Sequence, residues 1–313
     1  NLDDIQLTAE TKEILLKTDE ERFEYISKTY WIDYPIASDI LQKMEDLIRY
    51  EKGKIRVTSI LLVGSSNNGK TSLLDRFKTL HKNYDLNLCT IEEQREKCFS
   101  EYHATGMPVV YIIAPTEVTE GRLYSEILST LNAEYKERDT TAAKKKLVEH
   151  YFNSLNVEML IIDEIHNILG ASPLKRNAMM DTIKNLSNQL KIPIVLSGTK
   201  DALRAISTNS QISSRFRPMY LTKWKMNKDF ITLLATILSM LPLKKTSNIL
   251  NKNAAELVLE MSEGYIGEII NLLKESAIYA IRTGSEQITI DELKKCDFNS
   301  LKNVHKNESL KDI

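Results

Sequence analysis

Gly64-Ser65-Ser66-Asn67-Asn68-Gly69-Lys70-Thr71 fits G-x-x-x-x-G-K-[ST], a spacing made for a polyphosphate. Glycines let the backbone curl so that successive N–H groups face an anion, and the helix that follows adds positive potential at its N-terminus. Lys70 would reach the terminal phosphates, Thr71 would offer a hydroxyl to Mg²⁺, and Ser72 completes the cofactor-binding stretch. At ordinary composition the bare pattern arises in fewer than about one chain in a hundred of this length, so it carries weight.

Met159 to Glu164 reads as a buried strand ending on two carboxylates, Asp163 and Glu164. At the carboxyl edge of a sheet, Asp163 would join Thr71 at the metal, and Glu164 would face an attacking water. A further apolar run closes on Ser197-Gly198-Thr199, where the Thr199 hydroxyl can sit between the terminal phosphate and Glu164; a plain turn after a strand is the other reading. Ser213-Ser214-Arg215-Phe216-Arg217-Pro218 sets two arginines before a short edge strand. Arg215 is chosen over Arg217 as a guanidinium reaching a neighbouring subunit's nucleotide, and either also reads as a surface salt-bridge residue. The catalytic candidates are therefore Lys70, Glu164, Thr199 and Arg215. His166 makes the string Asp-Glu-Ile-His, similar to the DEAH/DEIH helicases, but no Q-x-x-G-R-x-x-R follows, and it reads as a polar residue at a helix start.

The elements that position these residues follow from hydrophobic period. Ser59 to Val63, Val109 to Ala114, Val157 to Ile162 and Ile194 to Ser197 are apolar on both faces, and each precedes a helical stretch, as in a parallel sheet buried between helices. Ser38 can cap a helix carrying Ile40, Leu41, Met44, Leu47 and Ile48 and ending near Gly53. Ala133 to Lys146 reads as a solvated surface excursion. After Leu221, Phe230, Leu233, Leu234, Ile237, Leu238 and Leu241 recur at helical spacing up to Pro242. Two more helices follow, and Thr289-x-x-Glu292 opens a last one as a capping box. The expected organisation is a loosely docked helical arm (1–35), an α/β domain (36–222), a small all-helical domain (223–300) and a tail (301–313).

The 313 residues carry 42 Lys+Arg against 43 Asp+Glu, so no overall basic field draws the chain to nucleic acid or anionic lipid. Any DNA contact must come from a local patch. The three cysteines form no C-x-x-C pair, which argues against a zinc site or disulfide framework and for a reducing cytosol. The amino end lacks a signal-peptide pattern, and no apolar run is long enough for a membrane span.

Taken in order, Gly64 to Thr71, Leu160 to Glu164, Thr199, Arg215 and the terminal helices resemble the AAA+ ATPases: a P-loop domain with a parallel five-stranded sheet between helices, plus a helical lid. More narrowly, the Asn67-Asn68 loop, Ile162-Asp163-Glu164-Ile165-His166-Asn167-Ile168-Leu169, and the stretch from Ile192 through Gly198-Thr199 and Ala202 to Ile206 as far as Ser214-Arg215-Phe216 are similar to the TniB/TnsC transposition regulators. The resemblance covers roughly residues 20 to 285. It implies a bacterial cytoplasmic ATPase that uses ATP and Mg²⁺, assembles as a homo-oligomeric ring or filament on double-stranded DNA, recruits a DDE transposase, is placed by a TniQ-like target selector, and is remodelled on hydrolysis. Many AAA+ lids carry a G-x-x-R arginine, whereas Gly264-Tyr265-Ile266-Gly267-Glu268 offers Glu268.

A ring around DNA needs cations lining its pore. The candidates are Arg122, near Thr116 and Thr119, and Lys175 and Arg176 after the acidic strand, in places where loops of related rings point inward; Lys144, Lys145 and Lys146 form the densest basic run. Each equally reads as a solvated surface charge. Tyr30, Trp31 and Tyr34, before Pro35, could frame the adenine or pack the arm, and Tyr34 with Pro35 are the cofactor-binding candidates on the base side. A replication initiator or helicase loader is the alternative within the superfamily, and it would need a winged-helix domain for which the residues after 301 leave no room. A signalling P-loop switch is the alternative outside it.

Overall fold

The computed structural model describes residues 6–28, 31–85, 105–207 and 213–298. Tyr30, Cys89, Cys98 and the tail 301–313 lie outside the described residues. The chain divides into two compact units: Asn1–Pro35 with Asn67–Gly69 and Thr222–Ile313, and Ile36–Ser66 with Lys70–Leu221.

The chain opens with two short helices of the first unit, α1 (Ala9–Ile14) and α2 (Asp19–Ser27), each capped by a threonine; Thr18 and Glu21 form a full capping box. The second unit begins at Ile36, in α3 (Pro35–Glu51). That helix starts before the expected cap Ser38, because proline at the first helical position presets φ and gives up an N–H that would be unpaired there anyway. Then come β1 (Ser59–Gly64), α4 (Lys70–Leu80) and a small antiparallel pair, β2 (Tyr84–Asp85) with β3 (Thr105–Gly106), which the sequence reading did not anticipate. They are followed by β4 (Val109–Ile113), α5 (Glu120–Thr130), α6 (Thr141–Ser154), β5 (Met159–Asp163), α7 (His166–Leu169), α8 (Pro173–Leu190), β6 (Ile194–Gly198), α9 (Lys200–Ser207) and β7 (Phe216–Leu221).

The five-stranded parallel sheet has the order β4-β5-β6-β1-β7. Every residue of β1, β5 and β6 is buried, as two-sided apolar runs require. On one face, Leu61, Val63, Leu160, Ile162 and Leu196 join a single core with Leu123, Ile127, Val148, Phe152 and Ile183 from the helices. Because all five strands run the same way, their carboxyl ends meet at one edge, with Ile113 in register beside Asp163. β5 begins later than the apolar run suggests: the Val157 N–H is taken by the Phe152 carbonyl at 2.9 Å, which closes α6.

The expected excursion is not wholly solvated: Ala133 and Tyr135 pack against the core. Lys144 is buried, donating to Ser125 Oγ at 2.8 Å and to the Glu137 carbonyl at 2.9 Å, so this member of the basic run is committed to the fold.

The first unit is completed by α10 (Lys228–Ser239), α11 (Lys252–Ser262), α12 (Ile266–Thr283) and α13 (Ile290–Lys295), the last opened by the Thr289–Glu292 capping box. The arm is not loosely docked. Arg22 of α2 is fully buried; its guanidinium donates to the Pro242 carbonyl at 2.6 Å and to Glu286 at 2.5 Å. Removing Arg22 leaves the Glu286 carboxylate, 11% exposed, with only Lys244 at 3.3 Å among the described residues, so Arg22→Ala is expected to lower stability by about 3 kcal/mol, read from the urea midpoint. Arg204→Ala should shift it by under about 1 kcal/mol, since the Arg204–Asp201 pair is 82% and 84% exposed. Burial pushes the Glu286 carboxyl up, but the Arg22 hydrogen bond and charge hold it below the ordinary range. Its contribution is therefore present above the unfolded value of about 4.3 and is lost as pH falls through the lowered folded value.

Candidate active site

The phosphate loop joins β1 to α4. Gly64 leaves room for close packing: an added Cβ would stand 3.2 Å from Leu221 and 3.3 Å from the Lys70 side chain, so a larger residue would push these neighbours by a few tenths of an ångström. Gly69 holds φ +79° and Asn67 φ +58°, so the loop turns through two left-handed residues, and asparagine is among the few side chains that tolerate this. Lys70 is buried at the start of α4, and its ammonium donates to the carbonyls of Gly64 and Ser65, each at 2.9 Å. Burial draws its pKa down, opposed by the carboxylates of Glu164 and Asp163.

At the second residue of α4, Thr71 Oγ1 donates to Asp163 Oδ2 at 2.8 Å, which brings the candidate metal pair together across 92 residues of sequence. The rest of the Asp163 carboxylate is also engaged. Tyr111 donates its phenol proton to Oδ2 at 2.8 Å, and the Glu164 N–H donates to Oδ1 at 2.8 Å. Tyr111 escaped sequence reasoning because a tyrosine in Val109–Ile113 reads as core. The signal was register: it lies two residues before Ile113, the parallel neighbour of Asp163, on the same face. Burial and the Asp163 hydrogen bond push its phenol up.

Glu164 follows β5 at φ +55°, a strained conformation for a β-carbon residue and one that concentrates at functional positions. Its carboxylate stands 3.0 Å from His166 Nδ1 at the start of α7, so His166 is more than a polar residue at a helix start. Among the described residues no group of three or more His, Cys, Asp or Glu could hold a metal alone.

Thr199 stands between β6 and α9, its carbonyl accepting from the Leu203 N–H at 3.3 Å. Arg215 is half-buried just before β7. Its guanidinium donates to the Asn188 carboxamide oxygen, and its pKa is drawn down by burial and by Arg56. Arg217 is exposed on β7. The DNA candidates lie in first turns of helices and not in loops. Thr119 caps α5, accepting from the Arg122 N–H, and Arg122 pairs with Glu126 at 2.7 Å. Lys175 is exposed and Arg176 half-buried in α8.

In the first unit, Tyr34 is buried edge-to-face against Trp224, with ring centroids 5.4 Å apart, and burial pushes its phenol up to about 12. A Cβ on Gly69 would stand 3.7 Å from its hydroxyl. Pro35 is exposed at the first position of α3. The tip Asn67–Gly69 clusters with this unit, and Asn67 donates its side-chain amide to Glu268.

A family model described as "Bacterial TniB protein" matches residues 22–226. No curated protein sequence matches the chain. Among solved structures, the ORC2 protein of Aeropyrum pernix in ADPNP–ADP complexes is 14% identical with a TM-score of 0.60, covering 91% of this chain and 74% of that one. Cdc6p from Pyrobaculum aerophilum is 15% identical with a TM-score of 0.58, over 86% and 68%. The Aeropyrum pernix ORC1 protein in complex with DNA is 13% identical with a TM-score of 0.58, over 89% and 69%. These likenesses establish the AAA+ P-loop fold.

Proposed function

Because the chain belongs to the TniB family, we propose that it is an ATP-dependent regulator of DNA transposition that assembles on duplex target DNA and is remodelled when it hydrolyses ATP. The observation that supports the nucleotide part of this reading is the Thr71–Asp163 hydrogen bond, a hydroxyl and a carboxylate of the kind that could share a metal, beside a loop with the phosphate-binding pattern and a buried lysine. These residues fit Mg²⁺ and a triphosphate, and the metal would supply Lewis-acid polarisation and charge neutralisation.

The chain's own groups divide the remaining work. Backbone N–H groups of the loop and the Lys70 ammonium bind the polyphosphate, while Thr71 and Asp163 hold the metal. Tyr111 and the Glu164 amide fix the Asp163 rotamer. Glu164 accepts the proton of the attacking water, and His166 orients its carboxylate across the 3.0 Å separation. Thr199 supplies a hydroxyl to the phosphate end of the site. Tyr34 and Pro35 frame the base.

Arg215 is the proposed finger to a neighbouring copy's nucleotide, released from Asn188 on assembly. Arg215→Ala is expected to cut hydrolysis per assembled subunit by about ten- to a hundredfold, the worth of one charge-assisted hydrogen bond. An unchanged rate would shift the role to Arg217.

Thr119, Arg122, Lys175 and Arg176 are the proposed DNA-facing set, with a DDE transposase and a TniQ-like selector as protein partners. Electron microscopy of the protein with duplex DNA, with and without a non-hydrolysable ATP analogue, tests the reading. Rings or filaments should appear only with both. Alanine at Arg122 or Lys175 should lower the slope of log Kobs against log salt by about 0.9 for each DNA phosphate that is no longer neutralised. Nucleotide binding without DNA-dependent assembly would favour the signalling-switch reading instead. Among the described residues no helix is long and apolar enough to cross a membrane.

A further inference from the structure

Within the first unit, the tip of the phosphate loop and the start of α12 hold each other. Asn67 Nδ2 donates to Glu268 Oε1, and the Gly267 N–H donates to the Asn67 carbonyl at 3.2 Å. A Cβ on Gly69 would stand 3.1 Å from Ile266. Each side supplies what the other lacks. Asn67 sits at φ +58°, a conformation that persists in a non-glycine residue when its surroundings over-determine it. The N-cap of α12, Tyr265, makes no side-chain cap, so a first-turn N–H that would otherwise lack an intrahelical partner is closed by the loop's carbonyl.

Glu268 itself is an odd choice beside a loop built for phosphates. It is buried; burial pushes its carboxyl up, the Asn67 hydrogen bond draws it down, and the like charge of Glu263 adds to the rise. A negative charge near a polyphosphate opposes binding, so charge cannot be what recommends the residue. Its acceptor oxygen can be.

We propose that Glu268 is a positioning residue for nucleotide binding: its acceptor oxygen, through the Asn67 amide, fixes the left-handed tip of the phosphate loop. This rests on the nucleotide reading of the loop given above. A glutamine keeps the acceptor and drops the charge, an alanine loses both, and a glycine at 67 keeps the backbone shape and loses the donor. Gly267→Ala attacks the pairing from the other side, because its Cβ would strike the Asn67 carboxamide.

The test is equilibrium binding of a fluorescent ADP analogue with Mg²⁺ to the full chain. Glu268→Ala and Asn67→Gly should each weaken binding about tenfold, the upper end of what one intramolecular hydrogen bond contributes. The double variant should be no weaker than either single one, since both remove one interaction. Gly267→Ala should weaken binding with Glu268 intact, and Glu268→Gln should bind within about twofold of the parent or more tightly. Unchanged binding in Glu268→Ala, multiplicative losses in the double variant, or Glu268→Gln as weak as the alanine would each overturn the assignment. A parent chain that binds no nucleotide would remove the underlying reading instead, so the two failures are distinct.

Discussion

Lys70→Ala is expected to abolish nucleotide binding, raising the dissociation constant for an Mg²⁺-loaded fluorescent ATP analogue on the order of a thousandfold. The ammonium is a cation that the fold itself aims into the loop: burial strips it of water, and the carbonyls of Gly64 and Ser65 hold it at 2.9 Å each. A group already desolvated and oriented loses little further on meeting phosphate, so its charge-assisted bonds act nearly at full strength. Two or three of them, at about 1.5–3 kcal/mol each, reach the stated magnitude. Assembly on DNA should vanish with binding. Retention of the parent affinity would mean that the phosphates lie elsewhere.

Glu164→Gln should behave in the opposite sense, leaving affinity near the parent value while phosphate release falls roughly 10³-fold. Glutamine keeps the size of the side chain and most of its neighbours but cannot take a proton from water. The left-handed backbone at Glu164, φ +55°, is held by its own N–H to Asp163 and by its carbonyl, which accepts from the Asn167 N–H at 2.9 Å; neither bond involves the carboxylate. The substitution therefore removes chemistry without removing shape, and the DNA-bound assembly should persist longer than that of the parent. Rapid turnover by this variant would take Glu164 out of the water-activating position.

What could be read from the chain and what could not divide along sequence separation. β1, β4, β5 and β6 are visible as runs apolar on both faces, and the phosphate loop as eight consecutive residues, because each is a local pattern. The AAA+ fold and the TniB relationship follow from those strings and stand. The start of α3 is misplaced by four residues because Ser38 looks like a cap, while Pro35, already suited to a first helical position, is assigned to the base pocket. Docking of the arm is invisible: Arg22 and Glu286 are 264 residues apart, and neither announces a partner. Lys144 is lost among Lys145 and Lys146, since a charge run says nothing about which member turns inward. Tyr111 is hidden by its apolar neighbours, and the His166–Glu164 pair by a turn that brings together residues two apart.

Position 67 shows how far solvent exposure can mislead about freedom to vary. Asn67 is exposed, and such sites ordinarily accept most replacements. Its left-handed backbone admits glycine, asparagine and aspartate at low cost; glycine has no amide to offer, and aspartate would set a second carboxylate against Glu268. Of the twenty residues, asparagine alone satisfies both demands, so selection acting on this site has almost nowhere to drift.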